Sequence, residues 1–124
     1  MSMAWIVWIV VDIVYVVSAV DKSGRVADRN VIRVMGWAPG ARVSIRERGG
    51  TIVVALADDG VHRIDDRGHL LLPAVVRRWC QLQAGDRLLF AADCATGVLV
   101  GHCFTMVDGL LADVHAAVVG GEAA

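Results

Sequence analysis

Lysine is almost missing from this chain: Lys22 stands alone among 12 cationic residues, and the remaining ones are arginines. Proline occurs twice, tyrosine once and phenylalanine twice in 124 residues. The formal net charge is -1, which removes the simple argument that a strongly basic chain must bind nucleic acid. Any basic surface has to be local. The three cysteines, Cys80, Cys94 and Cys103, form no CxxC pair and have no histidine at a metal-finger spacing, so neither a zinc finger nor a disulfide framework is expected. An odd, scattered set reads as reduced, and the expected compartment is the cytoplasm. His102 adjoins Cys103, but neighbours on a strand point to opposite faces, which places them poorly as base and nucleophile. His62, His102 and His115 share no ligand-like spacing. Gly49-Gly50 lacks the following Lys-Ser/Thr of a phosphate loop. No catalytic constellation emerges, so neither an enzyme nor a cofactor is expected.

What is present is apolar: 56% of residues are hydrophobic against 20% charged, enough for a core and incompatible with wholesale disorder. The length suits one domain, or one built from two small repeats. Residues 18–60 carry seven cations and five anions, and residues 62–104 carry five and four. Asp12, Asp108, Asp113 and Glu122 make the flanks acidic. Residues 3–20, MAWIVWIVVDIVYVVSAV, are apolar almost throughout. No cation precedes them and no small-residue cleavage site follows, which argues against a signal peptide. A membrane span would bury Asp12 near its middle at about 2.5–3.5 kcal/mol on insertion scales. The density of Val and Ile favours a strand, and residues 1–14 are expected to form an apolar N-terminal extension or strand.

An internal repeat organises the middle. Residues 18–45 read SAVDKSGRVADRNVIRVMGWAPGARVSI, and residues 62–90 read HRIDDRGHLLLPAVVRRWCQLQAGDRLLF. Val20-Asp21 and Ile64-Asp65 each precede a glycine, Gly24 or Gly68, which is hairpin-turn chemistry. Asp28 and Pro73 then stand at helix starts leading into residues 30–35 and 74–80. Gly36 to Gly40 and Gln81 to Asp86 end those helices, with one apolar residue turned inward. Strands follow at residues 42–47 and 51–56 across Gly49-Gly50, and at 87–92 and 97–102. Each copy therefore reads ββαββ, over residues 15–56 and 62–103, joined by a linker at 57–61. One such unit is near the lower limit for independent folding, so each needs the other. Over residues 104–124 a helix and tail are expected, with Thr105 as cap, Met106, Leu110, Leu111 and Val114 at helical spacing, and a frayed Gly120-Gly121 end. Trp37 and Trp79 read as packing residues.

The order of these motifs resembles the swapped-hairpin family of bacterial DNA-binding proteins that includes AbrB, SpoVT and MazE. The second copy carries the resemblance best, in Gly68-His69-Leu70-Leu71-Leu72-Pro73, Val76-Arg77-Arg78 and Leu82-Gln83-Ala84-Gly85-Asp86-Arg87. The first copy keeps Gly24-Arg25-Val26, has Asp28-Arg29 near the family's proline position, and has Gly40-Ala41-Arg42 where Gly-Asp is usual. The resemblance implies a mainly β fold, a double-split β-barrel made by two interleaved copies, here supplied by one chain. It implies a transcriptional regulator whose partner is double-stranded DNA. The family's DNA-contacting positions fall on Arg25, Arg33, His69, Arg77 and Arg78, with Lys22 and Arg67 as neighbours in the same turns. His69 replaces the usual arginine, and Val34 stands where a second helical arginine is usual. Such a face attracts phosphates, and one or two arginines reach guanine edges. The alternative is an antitoxin-like or other protein-interaction module. In that reading the apolar N-terminal strand pairs with a second copy or another protein, since an exposed strand is a template for pairing. A membrane is not an expected partner.

Overall fold

The computed structural model describes residues 13–123; of the apolar extension expected over residues 1–14, residues 1–12, Asp12 included, lie outside them. Ile13–Ala19 is strand β1, rich in the β-branched residues that suit a pleated surface. It is followed by α1 (Asn30–Arg33), β2 (Arg42–Arg48), β3 (Thr51–Leu56), β4 (His62–Arg63), α2 (Ala74–Trp79), β5 (Arg87–Asp93), β6 (Val98–Cys103) and α3 (Phe104–Ala123). The fold is mainly β: six antiparallel strands form one open sheet in the order β1-β5-β6-β3-β2-β4, with a C-terminal helix. The limits of β2, β3, β5 and β6 agree with the alternation of the sequence to within about a residue. The β2–β3 hairpin turns on Gly49 (φ 58°) and Gly50 (φ 83°), where the positive φ required by a tight hairpin is free of cost for glycine.

The pairing crosses between the two sequence copies. β1 of the first pairs with β5 of the second, and β4 of the second pairs with β2 of the first. β3 and β6 join the halves, with Val54 opposite Leu99. Beyond the strands the same exchange continues. Val20 N–H donates to Asp86 O at 2.8 Å, and Val20 O accepts from Gly85 N–H at 2.8 Å. Ile64 N–H donates to Ala41 O at 2.9 Å, and Ile64 O accepts from Gly40 N–H at 2.8 Å. One core results, shared by both copies: Val20, Val26, Ile32, Val43, Ile52 and Val54 from the first are buried with Ile64, Leu70, Leu72, Leu88, Phe90 and Leu99 from the second. The alternation in β5, with Leu88, Phe90 and Ala92 inward, is what a sheet covered on one face produces.

Four expectations need correction. The second strand of each ββαββ copy is reduced to isolated bridges, Val26 with Val20 and Leu71 with Arg25, because the residues after each turn hydrogen-bond to the other copy's hairpin and not along a strand ladder. Trp37 is buried as a packing residue, whereas Trp79 is 63% exposed. The six-residue α2 turns Val76 inward, and Trp79 falls outside that narrow stripe, with Val75 also exposed. Thr105 does not cap α3: the helix starts at Phe104, directly after Cys103 of β6. It also continues through Gly120 and Gly121 to Ala123, where the glycine pair suggests fraying. α3 projects from the sheet with Leu110, Leu111, Val114, Val118 and Val119 exposed, and over Phe104–Glu122 it is long and apolar enough to cross a membrane.

Candidate nucleic-acid interface

Two equivalent turns build the candidate face. Asp21 Oδ1 accepts hydrogen bonds from the amides of Ser23 and Arg25, each at 2.9 Å. Asp65 Oδ1 does the same for Arg67 at 2.9 Å and His69 at 2.7 Å. In each turn the glycine N–H donates to the aspartate carbonyl, Gly24 to Asp21 and Gly68 to Asp65. The carboxylate thus replaces a backbone acceptor and fixes a short loop, as Asx turns do. The two hairpins then dock on each other: Val26 N–H donates to Leu70 O at 2.9 Å and Leu72 N–H to Gly24 O at 2.8 Å, with Arg25 bridging to Leu71.

Docking brings cations of both copies together. Arg25 Nε lies 3.6 Å from Asp65 Oδ2, and His69 Nδ1 lies 3.4 Å from the same oxygen. Neither contact closes to a hydrogen bond, so both nitrogens are buried with an ionic neighbour only. Arg77 is committed further: its Nε donates to Leu72 O at 3.1 Å and its Nη1 reaches Lys22 O at 3.4 Å. Arg29 Nη1 makes the reciprocal contact, reaching Arg67 O at 3.4 Å. The helical region of each copy therefore holds the turn of the other. Lys22 and Arg67 project from the turns and are exposed. Arg33 ends α1 and Arg78 lies in the last turn of α2; both are exposed and make no side-chain hydrogen bond or ion pair among the described residues. A basic residue in the last turn suits the helix dipole.

In the sequence Arg77 and Arg78 look like one basic pair, and the geometry separates them: Arg77 is a strut, while Arg78 has no ionic partner among the described residues. Arg29 escapes a reading of the sequence as a site residue, because a guanidinium reaching a carbonyl 38 positions away leaves no local signal. Gln81 escapes it too, ending α2 with φ 54° where glycine is usual.

The turn carboxylates are electrostatically set. The Arg25 amide leads in holding the Asp21 carboxyl below its usual 3.8, against a burial effect that raises it. At Asp65 burial pushes upward, but the amides of His69 and Arg67 with the charges of His69 and Arg25 outweigh it and lower the value. A carboxyl lowered by folding contributes stability above its unfolded value and loses it as pH falls through the folded value. The thermal midpoint is therefore expected to fall below about pH 4 through these two groups. The drop should be shallower in Asp21→Asn with Asp65→Asn; an acid limb as steep as the parent's in calorimetry would remove the turns as its cause.

Among the described residues no group of three or more His, Cys, Asp or Glu is placed to hold a metal ion. The face offers guanidinium and ammonium groups on two turns and two helix ends, a chemistry that pairs with anionic groups. No family model, curated protein or solved structure matches the chain.

Proposed function

We propose that this chain is a DNA-binding regulator of the AbrB/SpoVT/MazE type, a swapped-hairpin barrel contained in one polypeptide, acting by occupying duplex DNA without chemistry of its own. The observation that carries the reading is the reciprocal exchange between copies. Each copy's first strand pairs with the other copy's second, β1 with β5 and β4 with β2, and each hairpin turn is held by an arginine of the other copy. Lys22, Arg67, Arg33 and Arg78 are the exposed cations for phosphate, while Arg25, His69 and Arg77 shape the turns that present them. Local positive charge in a chain of net charge -1 suits modest, salt-sensitive affinity.

A triple variant separates direct binding from support. Arg33→Ala, Arg67→Ala and Arg78→Ala combined remove only exposed cations, so thermal stability should change by no more than about 0.5 kcal/mol per site. Affinity for duplex DNA, measured by fluorescence anisotropy, should fall at least tenfold, and the salt slope should flatten by about 0.9 for each phosphate no longer neutralised. Unchanged binding in the triple variant would sink the assigned face.

One observation favours the protein-interaction alternative. α3 presents five large apolar side chains to solvent, which is unusual for a surface without a partner. Asp113, at the middle of the apolar stretch, opposes a membrane location at about 2.5–3.5 kcal/mol, and Asp108, nearer its start, adds a smaller cost. The N-terminal strand invoked for the same role lies outside the described residues, except for β1. Light scattering of the parent and of Leu111→Glu with Val118→Glu distinguishes the readings: a mass that drops in the variant supports assembly through α3, and equal monomeric masses argue against self-assembly there.

A further inference from the structure

Two cysteines that lie 23 positions apart in sequence meet at the β2–β3 turn. Cys80 follows the last residue of α2, and Cys103 is the last residue of β6. The Cys103 Sγ lies 3.4 Å from Gly50 O, and the Cys80 Sγ lies 3.9 Å from the same oxygen. Cys103 Sγ is also 3.9 Å from Cys80 O. A third sulfur borders the turn. Met106, in the first turn of α3, places Sδ 3.3 Å from Thr51 Oγ1, and its methyl stands 3.4 Å from where a Cβ on Gly50 would lie. Cys80, Cys103 and Met106 line one open pocket of about 310 Å³ with Gly50 at its wall. Both thiols are half-buried, and neither is in a disulfide.

We propose that Cys80, Cys103 and Met106 bind one soft monovalent metal ion of the Cu(I) class, with two thiolates and a thioether as ligands. The donor set selects the ion. Thiolate and thioether sulfur favour Cu(I), whereas Ca²⁺ and Mg²⁺ require oxygen ligands and structural Zn²⁺ requires four donors from Cys, His, Asp or Glu. Thioether participation also separates the site from a mere dithiol, since a disulfide between the two cysteines would not depend on the sulfur of Met106. Burial, with the neighbouring Cys103 thiol adding to it, pushes Cys80 up to about 11, and burial raises Cys103 as well. Loading is an exchange, in which two S–H protons leave to solvent, two S–metal bonds form, and the site changes from neutral to a net charge of minus one. No oxidant is needed. Bound metal ties the end of α2 to the start of α3, because Cys80 follows α2, Cys103 immediately precedes α3 and Met106 lies in its first turn.

The test is a competition titration of the reduced full-length protein with Cu(I) against a chromogenic Cu(I) chelator, without oxygen. The parent is expected to withhold one equivalent per chain. Cys80→Ser and Cys103→Ser should each weaken binding by more than about 100-fold, beyond the 10–100-fold typical of losing an outer-shell partner. Met106→Leu should weaken it less, and Cys94→Ser should match the parent, since Cys94 is exposed and its Sγ lies against Val34 O at 3.1 Å. A second readout needs no variant: Cu(I) should slow alkylation of Cys80 and Cys103 relative to the metal-free protein while leaving the rate at Cys94 unchanged, as measured by peptide mass. Equal competition by the parent and the Cys80→Ser, Cys103→Ser double variant, or alkylation of Cys80 and Cys103 no slower with Cu(I) than without it, would overturn the assignment.

Discussion

Alanine at Gly24 is expected to cost more than about 4 kcal/mol and to lower the thermal midpoint by more than about 10 °C, while alanine at the equivalent Gly68 costs only about 1–2 kcal/mol. Both glycines turn a hairpin with nearly the same backbone, φ 88° and φ 86°. Their surroundings differ. A Cβ on Gly24 would stand 2.5 Å from Leu72 O and 2.7 Å from Arg77 Nε, and one on Gly68 would meet nothing within 4 Å. Leu72 O is backbone already engaged by Arg77 Nε, and the Leu72 N–H holds Gly24 O, so relief of the clash has to open the contact between the two hairpins. At Gly68 only the strain of a left-handed L-residue remains. Denaturation of the two variants side by side checks this. Equal losses would mean that the hairpins are not docked through Gly24.

Phe90→Ala is expected to destabilise by about 3–5 kcal/mol, the range for deleting a buried aromatic. Phe90 is fully buried near the middle of β5, opposite Val16 on one side and Gly101 on the other. Gly101 explains why the ring fits: a Cβ there would lie 3.1 Å from Phe90 Cε1. The aromatic covers the side-chain-free position across the strand pair, so alanine leaves space that neither neighbour can fill. Phe90→Leu should recover a large part of the loss. Urea unfolding gives both values, and a loss below about 1 kcal/mol for alanine would place Phe90 outside the shared core.

The hairpin turns are legible in the sequence because their chemistry is local. An aspartate three residues before a glycine announces a turn, and Asp21-Gly24 and Asp65-Gly68 form the same one. The alternation of Leu88, Phe90 and Ala92 announces a strand with one covered face, and the strand is there. What escapes is long-range or geometric. The clamp from Arg77 to Lys22 O spans 55 positions, and the Arg25 contact to Asp65 exists only because the hairpins meet. Two adjacent arginines look alike in sequence, yet helix geometry sends Arg77 back over the turn and Arg78 to solvent. The convergence of Cys80, Cys103 and Met106 at Gly50 likewise depends on how α2, β6 and α3 close around one turn. Trp79 misleads because large aromatics usually pack, and the one-stripe α2 has no inward place for it.

Whether the face made by the two hairpins and helix ends holds duplex DNA is tested most directly by fluorescence anisotropy of the full-length protein over a salt series. The labelled duplexes are one from its own upstream region and one of unrelated sequence. Preferential binding to the upstream duplex is expected, with affinity falling as salt rises and a slope that reports several phosphate contacts. No binding to either duplex at low salt would contradict the proposed function.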